Sequence, residues 1–236
     1  LSSYTPCSRE INLPSSAIAH PASVKTQPLW MAFVVSSFLV SGPVFLQAPL
    51  VRLFPEISLL LTTGWLIASV LLCRKITTQW WGDILIGFSW TWLAGSIYWG
   101  WFRSNPYIHL PIEAIALPIA LLCLRYGWAK VGSWFYLGSL FGTMMTDLYF
   151  YVVHLIPYWQ KLMFADPEMV RPIFQGALSQ VSTFHGVAWA GMLVLILLMV
   201  GLTALRFRDI HYWAFGGAVL STILVDGLFW IAAIAA

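Results

Sequence analysis

Long apolar stretches, each about as long as a bilayer is thick, divide this chain, and short polar clusters separate them. They fall at 29–47, 57–73, 80–98, 107–124, 131–155, 181–204 and 212–233. A membrane-crossing helix needs about 20 predominantly apolar residues, and runs of this length without strict two-residue alternation predict helices rather than strands. The fold class expected is all-α: a polytopic membrane protein of about seven transmembrane helices, or eight if 172–187 also enters the membrane. Residues 1–27 break the pattern. They are polar, hold Pro14, Pro21 and several serines, show no periodic face, and read as a flexible tail ahead of a single transmembrane helical domain over 28–236. The tail contains no apolar signal-peptide core, so the first span is expected to double as the insertion signal, and a chain opening on Leu1 suggests processing.

Breaks inside the runs sharpen the picture. Gly42-Pro43 predicts a kink or an early end to the first span, because proline lacks its N–H and crowds the preceding turn. Gly138 and Gly142 form one GxxxG in the fifth span, a spacing that suits close helix packing. The connection over 157–186 carries Lys161, Asp166, Glu168 and Arg171 and predicts a short surface helix within 164–178 in place of a full span.

Composition agrees with the pattern: 60% of residues are apolar and 9% charged, with a mean hydropathy of +0.80. Such a chain belongs in a membrane. The net charge of +3 arises from loop residues and gives no basis for binding nucleic acid. Alternating the loops puts Arg9, Lys25, Arg74, Lys75, Arg125, Lys130, Arg206 and Arg208 on one side and Arg52, Arg103, Lys161 and Arg171 on the other. Cytoplasmic loops carry the excess of Lys and Arg, so the N-terminal side is expected to be cytoplasmic and the C-terminus luminal or periplasmic. Cys7, Cys73 and Cys123 show no CxxC spacing and read as one tail residue and two small fillers.

The chemistry concentrates in the fourth span. Residues 107–124 would cover about 27 Å with Glu113 near the start. An acid at that depth is a functional candidate by default. Pro111 and Pro118 flank it and free backbone carbonyls, which shapes a local cavity. The same alternation places Asp147, His154, His185 and Asp226 in the same half of the membrane, so one site built from several spans is expected there, while Asp83 lies toward the other side. Low dielectric favours a neutral carboxyl, and two nearby acids share a proton. Glu113, Asp147 and Asp226 are therefore the candidate catalytic set: a proton handed to a carbon–carbon double bond, with a neighbouring carboxylate stabilising the cation. Trp90 and Trp92 could add cation–π support, and Tyr98, Trp99, Trp101 and Phe102 form an aromatic group of the kind found at headgroup depth.

Other chemistries fit less well. His154 and His185 are candidate cofactor-binding residues, axial ligands to a chlorophyll or haem, but no metal motif accompanies them. Lys25, Lys75, Lys130 and Lys161 all lie outside the spans, which excludes a retinal-type Schiff base. No P-loop and no GxSxG is present.

The text WTWLAGSIYWGWF followed by HLPIEAIALP, within about 90–118, resembles the small integral-membrane lycopene cyclases, in which an aromatic helix precedes a P-x-E-E motif. Pro111 and Glu113 fit that motif, and Ala114 stands where the second acid would be. More loosely, the chain resembles multi-span proteins of cyanobacterial photosynthetic membranes. The resemblance implies a thylakoid or plasma-membrane location and an isoprenoid ligand such as a carotenoid or a quinone tail. Three functions stay open. The first is an accessory or assembly subunit that packs against a photosynthetic membrane complex and binds carotenoid or chlorophyll. The second is an acid-catalysed isoprenoid cyclase or isomerase, which requires an apolar cavity open to lipid and reaching Glu113. The third is a proton-coupled transporter.

Overall fold

A computed structural model describes residues 27–235, with side chains over 29–234. Apart from Gln27, the tail expected over 1–27, Cys7 included, lies outside the described residues. The described chain is all helix and turn. Ten α-helices follow in order: α1 (Gln27–Leu53), α2 (Pro55–Cys73), α3 (Gln79–Ile97), α4 (His109–Glu113), α5 (Leu117–Arg125), α6 (Lys130–Val152), α7 (Ile156–Met163), α8 (Pro167–Val181), α9 (Phe184–Ala204) and α10 (Ile210–Ala235).

Five segments are long and apolar enough to cross a membrane: Leu29–Leu53, Pro55–Cys73, Pro106–Arg125, Phe184–Ala204 and Ile210–Ile234. A sixth is reached if α6 and α7 count as one span, although the chain bends by 100° between them. Large apolar side chains project outward from these helices, among them Phe38, Leu60, Leu195 and Met199, each more than half exposed. That outward greasiness is what a lipid-facing surface requires. The backbone polar groups are meanwhile satisfied within each helix.

α3 lies inside the bundle. It buries Ile84, Phe88 and Trp92 against Val131 and Phe135 of α6 and Ala214 and Ala218 of α10. Its polar residues have partners. Gln47 of α1 donates from Nε2 to the Trp92 carbonyl (2.7 Å) and to Ser96 Oγ (2.9 Å), and Trp92 Nε1 donates to the Ser58 carbonyl of α2 (2.9 Å). α6 is the hub, packing against α3, α4, α5, α9 and α10. Glycine makes these crossings close. A Cβ on Gly87 of α3 would meet the Gly132 carbonyl of α6, and one on Gly138 would lie 2.7 Å from the Phe215 carbonyl of α10. Gly138 and Gly142, the GxxxG pair, both face α10, where a Cβ on Gly142 would meet the Thr222 hydroxyl.

Two local expectations are corrected. α1 continues through Pro43 and Pro49 to Leu53, so Gly42-Pro43 does not end it. Proline removes single hydrogen bonds there, while packing along α10 supports the helix. The loop expected around Arg52 and Glu56 shrinks to Phe54, with Arg52 in the last turn of α1 and Glu56 in the first turn of α2. Cys123, read as a small filler, keeps a free thiol.

Candidate functional site

The segment expected as one helix over 107–124 is built in four pieces. Pro106–Ile108 is a 3₁₀ turn, α4 follows, Ala114–Ala116 tightens to 3₁₀, and α5 starts again with Pro118 in its first turn. Pro118 has no N–H to continue the ladder, and the N–H of Leu117 turns to the Ala114 carbonyl, three residues back. The Glu113 carbonyl is met from outside the helix, by the Tyr136 hydroxyl of α6 at 2.6 Å. The break thus pins Glu113 against α6.

One turn earlier on the same short helix stands His109. Its Nδ1–H donates to Asp147 Oδ1 of α6 at 2.8 Å, and its Nε2 lies 3.8 Å from Glu113 Oε1. The three side chains are only 12–19% exposed. A π-type turn over Tyr98–Phe102 ends α3 and swings Tyr98 inward, so that its ring stacks on the imidazole at 4.1 Å with Trp99 edge-on behind. Single π turns inside helical segments often accompany functional sites because they re-aim side chains. Here the aromatics expected at headgroup depth divide: Tyr98 is 2% exposed, while Trp101 and Phe102 stay at the surface.

Asp226 of α10 joins from the other side. Thr146, adjacent to Asp147 on α6, donates its hydroxyl to Asp226 Oδ2 at 2.9 Å. Consecutive residues of α6 therefore engage acid or imidazole groups on two different helices. Ser139 and Thr143 precede Asp147 at four-residue steps on the same face of α6.

Glu113, Asp147, Asp226 and His109 line one cavity of about 1000 Å³. Most of its wall is apolar or aromatic, supplied by α1, α3 and α7 to α10. Phe45, Phe229 and Trp230 belong to that wall and are each more than half exposed, so the cavity reaches the apolar surface of the helices there. α7 and α8 contribute Trp159, Leu162, Phe174 and Leu178 to the wall, and Trp159 packs edge-on against the Trp99 that lies beside His109.

The remaining candidates lie elsewhere. His154 is exposed and holds a left-handed conformation (φ 57°) just past α6. There the Leu155 N–H bonds the Phe150 carbonyl and the His154 N–H bonds the Tyr151 carbonyl, the paired bonds of a Schellman cap. His185, also exposed, sits 3.3 Å from the Val152 carbonyl through Nε2. Neither imidazole lines the cavity. Asp83 accepts the N–H groups of Val131 (3.2 Å) and Gly132 (2.9 Å) and so caps the start of α6. Among the described residues, no group of three or more His, Cys, Asp or Glu is placed to hold a metal ion. Sequence reasoning missed His109. Its i, i+4 relation to Glu113 was the available signal, whereas its partner Asp147 is 38 residues away.

Chemically, the Asp147–His109 pair fixes the tautomer. With Nδ1–H held by the carboxylate, Nε2 is the nitrogen left to take or hand on a proton, and Glu113 faces it. Stacking on Tyr98 restrains the ring plane. Fold and site together define a polytopic α-helical membrane protein with an acid–imidazole cluster in the wall of a largely apolar cavity. The chain belongs to the family described as Protein of unknown function (DUF3120), matched over residues 36–234, a stretch that includes the whole cluster. No curated protein and no solved structure matches it.

Proposed function

We propose that this protein is a membrane-embedded enzyme that draws an isoprenoid-class molecule from the bilayer and moves a proton on it. The His109–Glu113–Asp147 cluster acts as the acid–base centre, Tyr98 and Asp147 position His109, and Asp226 is the further acid in reach. The observation that carries this reading is the largely apolar cavity that has this cluster in its wall, which we read as open sideways to the bilayer. A buried, positioned imidazole–carboxylate pair is poor packing material but suits general acid–base work. An apolar trough suits a hydrocarbon chain. The accessory-subunit reading would use His154 or His185 as pigment ligands. It has less support, since neither imidazole is in the wall of the cavity.

The proposal includes seven crossings, with α3 as the interior helix, whose polar residues are tolerable because neighbouring helices and not lipid surround it. It keeps the basic side cytoplasmic and a photosynthetic membrane as the setting, where carotenoids and quinones are at hand.

The test is purification of the full chain in mild detergent, followed by mass spectrometry and absorption spectroscopy of what co-elutes. The expected result is one isoprenoid-class molecule enriched over bulk lipid. It should be lost in Thr143→Trp, which fills the trough beside Asp147, and in wild type but not in Glu113→Gln it should undergo double-bond isomerisation or ring closure on incubation. The same bulk lipids with wild type and Thr143→Trp would overturn the reading. Stoichiometric pigment arriving with the subunits of a large complex would replace it with the accessory role.

A further inference from the structure

Every charged or titratable group around the cavity is an acid, an imidazole or a phenol: Glu113, Asp147, Asp226, His109 and several tyrosines, with no lysine or arginine among the described lining residues. An anionic head such as a phosphate or carboxylate would meet carboxylates, and the one group that can turn cationic, His109, is already taken by Asp147 and Glu113. Asp147 uses Oδ1 for His109, while its Oδ2 is buried and has no hydrogen-bond partner. A buried acceptor left open is costly, and a ligand that supplies the missing donor removes that cost. Ser139 and Thr143 continue a line of hydroxyls from Asp147 along the cavity wall.

We infer that the molecule this site takes carries a hydroxyl at its cavity end: a long-chain alcohol or phenol, its O–H donated to the Asp147 carboxylate, whose unpartnered oxygen a small turn of the side chain brings to the cavity, and its chain along the apolar wall. Phosphorylated and carboxylated forms of the same chain are refused. A site built to accept from a hydroxyl also discriminates against the analogue without that proton. The inference rests on the reading of the cavity as a ligand site and specifies its head-group chemistry.

The experiment uses the full chain in nanodiscs of a neutral lipid, with geranylgeraniol, its methyl ether and its diphosphate as matched probes, and measures retained probe per protein. The alcohol is expected to bind at least tenfold more tightly than either analogue. In Asp147→Ala the preference for alcohol over ether should collapse, while the fold, followed by thermal unfolding, persists. Equal retention of alcohol and ether, preferential binding of the diphosphate, or no retention of any probe overturns the inference. If that happens while Thr143→Trp still strips a co-purifying apolar molecule, the ligand-site reading survives. If Thr143→Trp strips nothing, that reading fails instead.

Discussion

Asp83 and Asp147 are both acids buried among helices, and their partners differ in kind. Asp83 takes two backbone N–H groups at the start of α6, so Asp83→Ala should lower thermal stability by about 1–2 kcal/mol, the usual scale of a lost cap, and leave ligand binding intact. Asp147 takes an imidazole and leaves one oxygen open. Asp147→Asn should therefore cost little stability but release the orientation of His109, read as loss of activity with the protein still folded. His154 supplies a third contrast. Its left-handed backbone favours glycine, so His154→Gly should be neutral or stabilising by up to about 1 kcal/mol and His154→Val destabilising by about 1–2 kcal/mol. Loss of a bound pigment in His154→Gly, without loss of fold, would restore the ligand role that its sequence position suggested. Glu113, Asp147 and Asp226 could be read as one half-membrane set from span order alone. His109 could not be singled out, because an imidazole two residues from the start of a run looks like a boundary residue until Asp147 comes beside it.

At the scale of the element, the broken span is the feature that brings acid and imidazole to α6. Pro118 forces the restart of the helix, and the Tyr136 hydroxyl takes the exposed carbonyl before it. Pro118→Ala should let the ladder run through, leave thermal stability unchanged or raised, and draw Glu113 away from the cavity. The measurement is a comparison of melting temperature with ligand retention, and a parallel fall in both would instead mean that the break is needed for folding. Prolines marked this break in the sequence, but Pro43 and Pro49 are equally visible and do not end α1. What separates the two cases is the neighbouring helix: packing along α10 holds α1 together, while α6 supplies a hydroxyl where span four opens. That information is tertiary, as are the π turn that aims Tyr98 at His109 and the 100° bend that folds α7 over the site.

For the whole molecule, helix positions were legible because apolar runs report them directly, whereas α3 was legible only as a run and not as the interior helix. Its glycines and serines acquire meaning once Gly87 meets Gly132 and Ser96 meets Gln47. The seven crossings proposed above would have Thr77→Cys and Asp209→Cys react with an impermeant thiol reagent from one side and Ser104→Cys and Asp166→Cys from the other. Labelling of Thr77→Cys and Ser104→Cys from the same side would show that α3 does not cross. The proposed entry from the bilayer through the apolar surface at Phe45, Phe229 and Trp230 sets how occupancy must be reckoned. A molecule that arrives through hydrocarbon is sampled by its mole fraction in the bilayer, not by its molarity in the surrounding buffer. Diluting the membrane with inert lipid at fixed total ligand should therefore empty the site, while diluting the same vesicles with buffer should leave it filled.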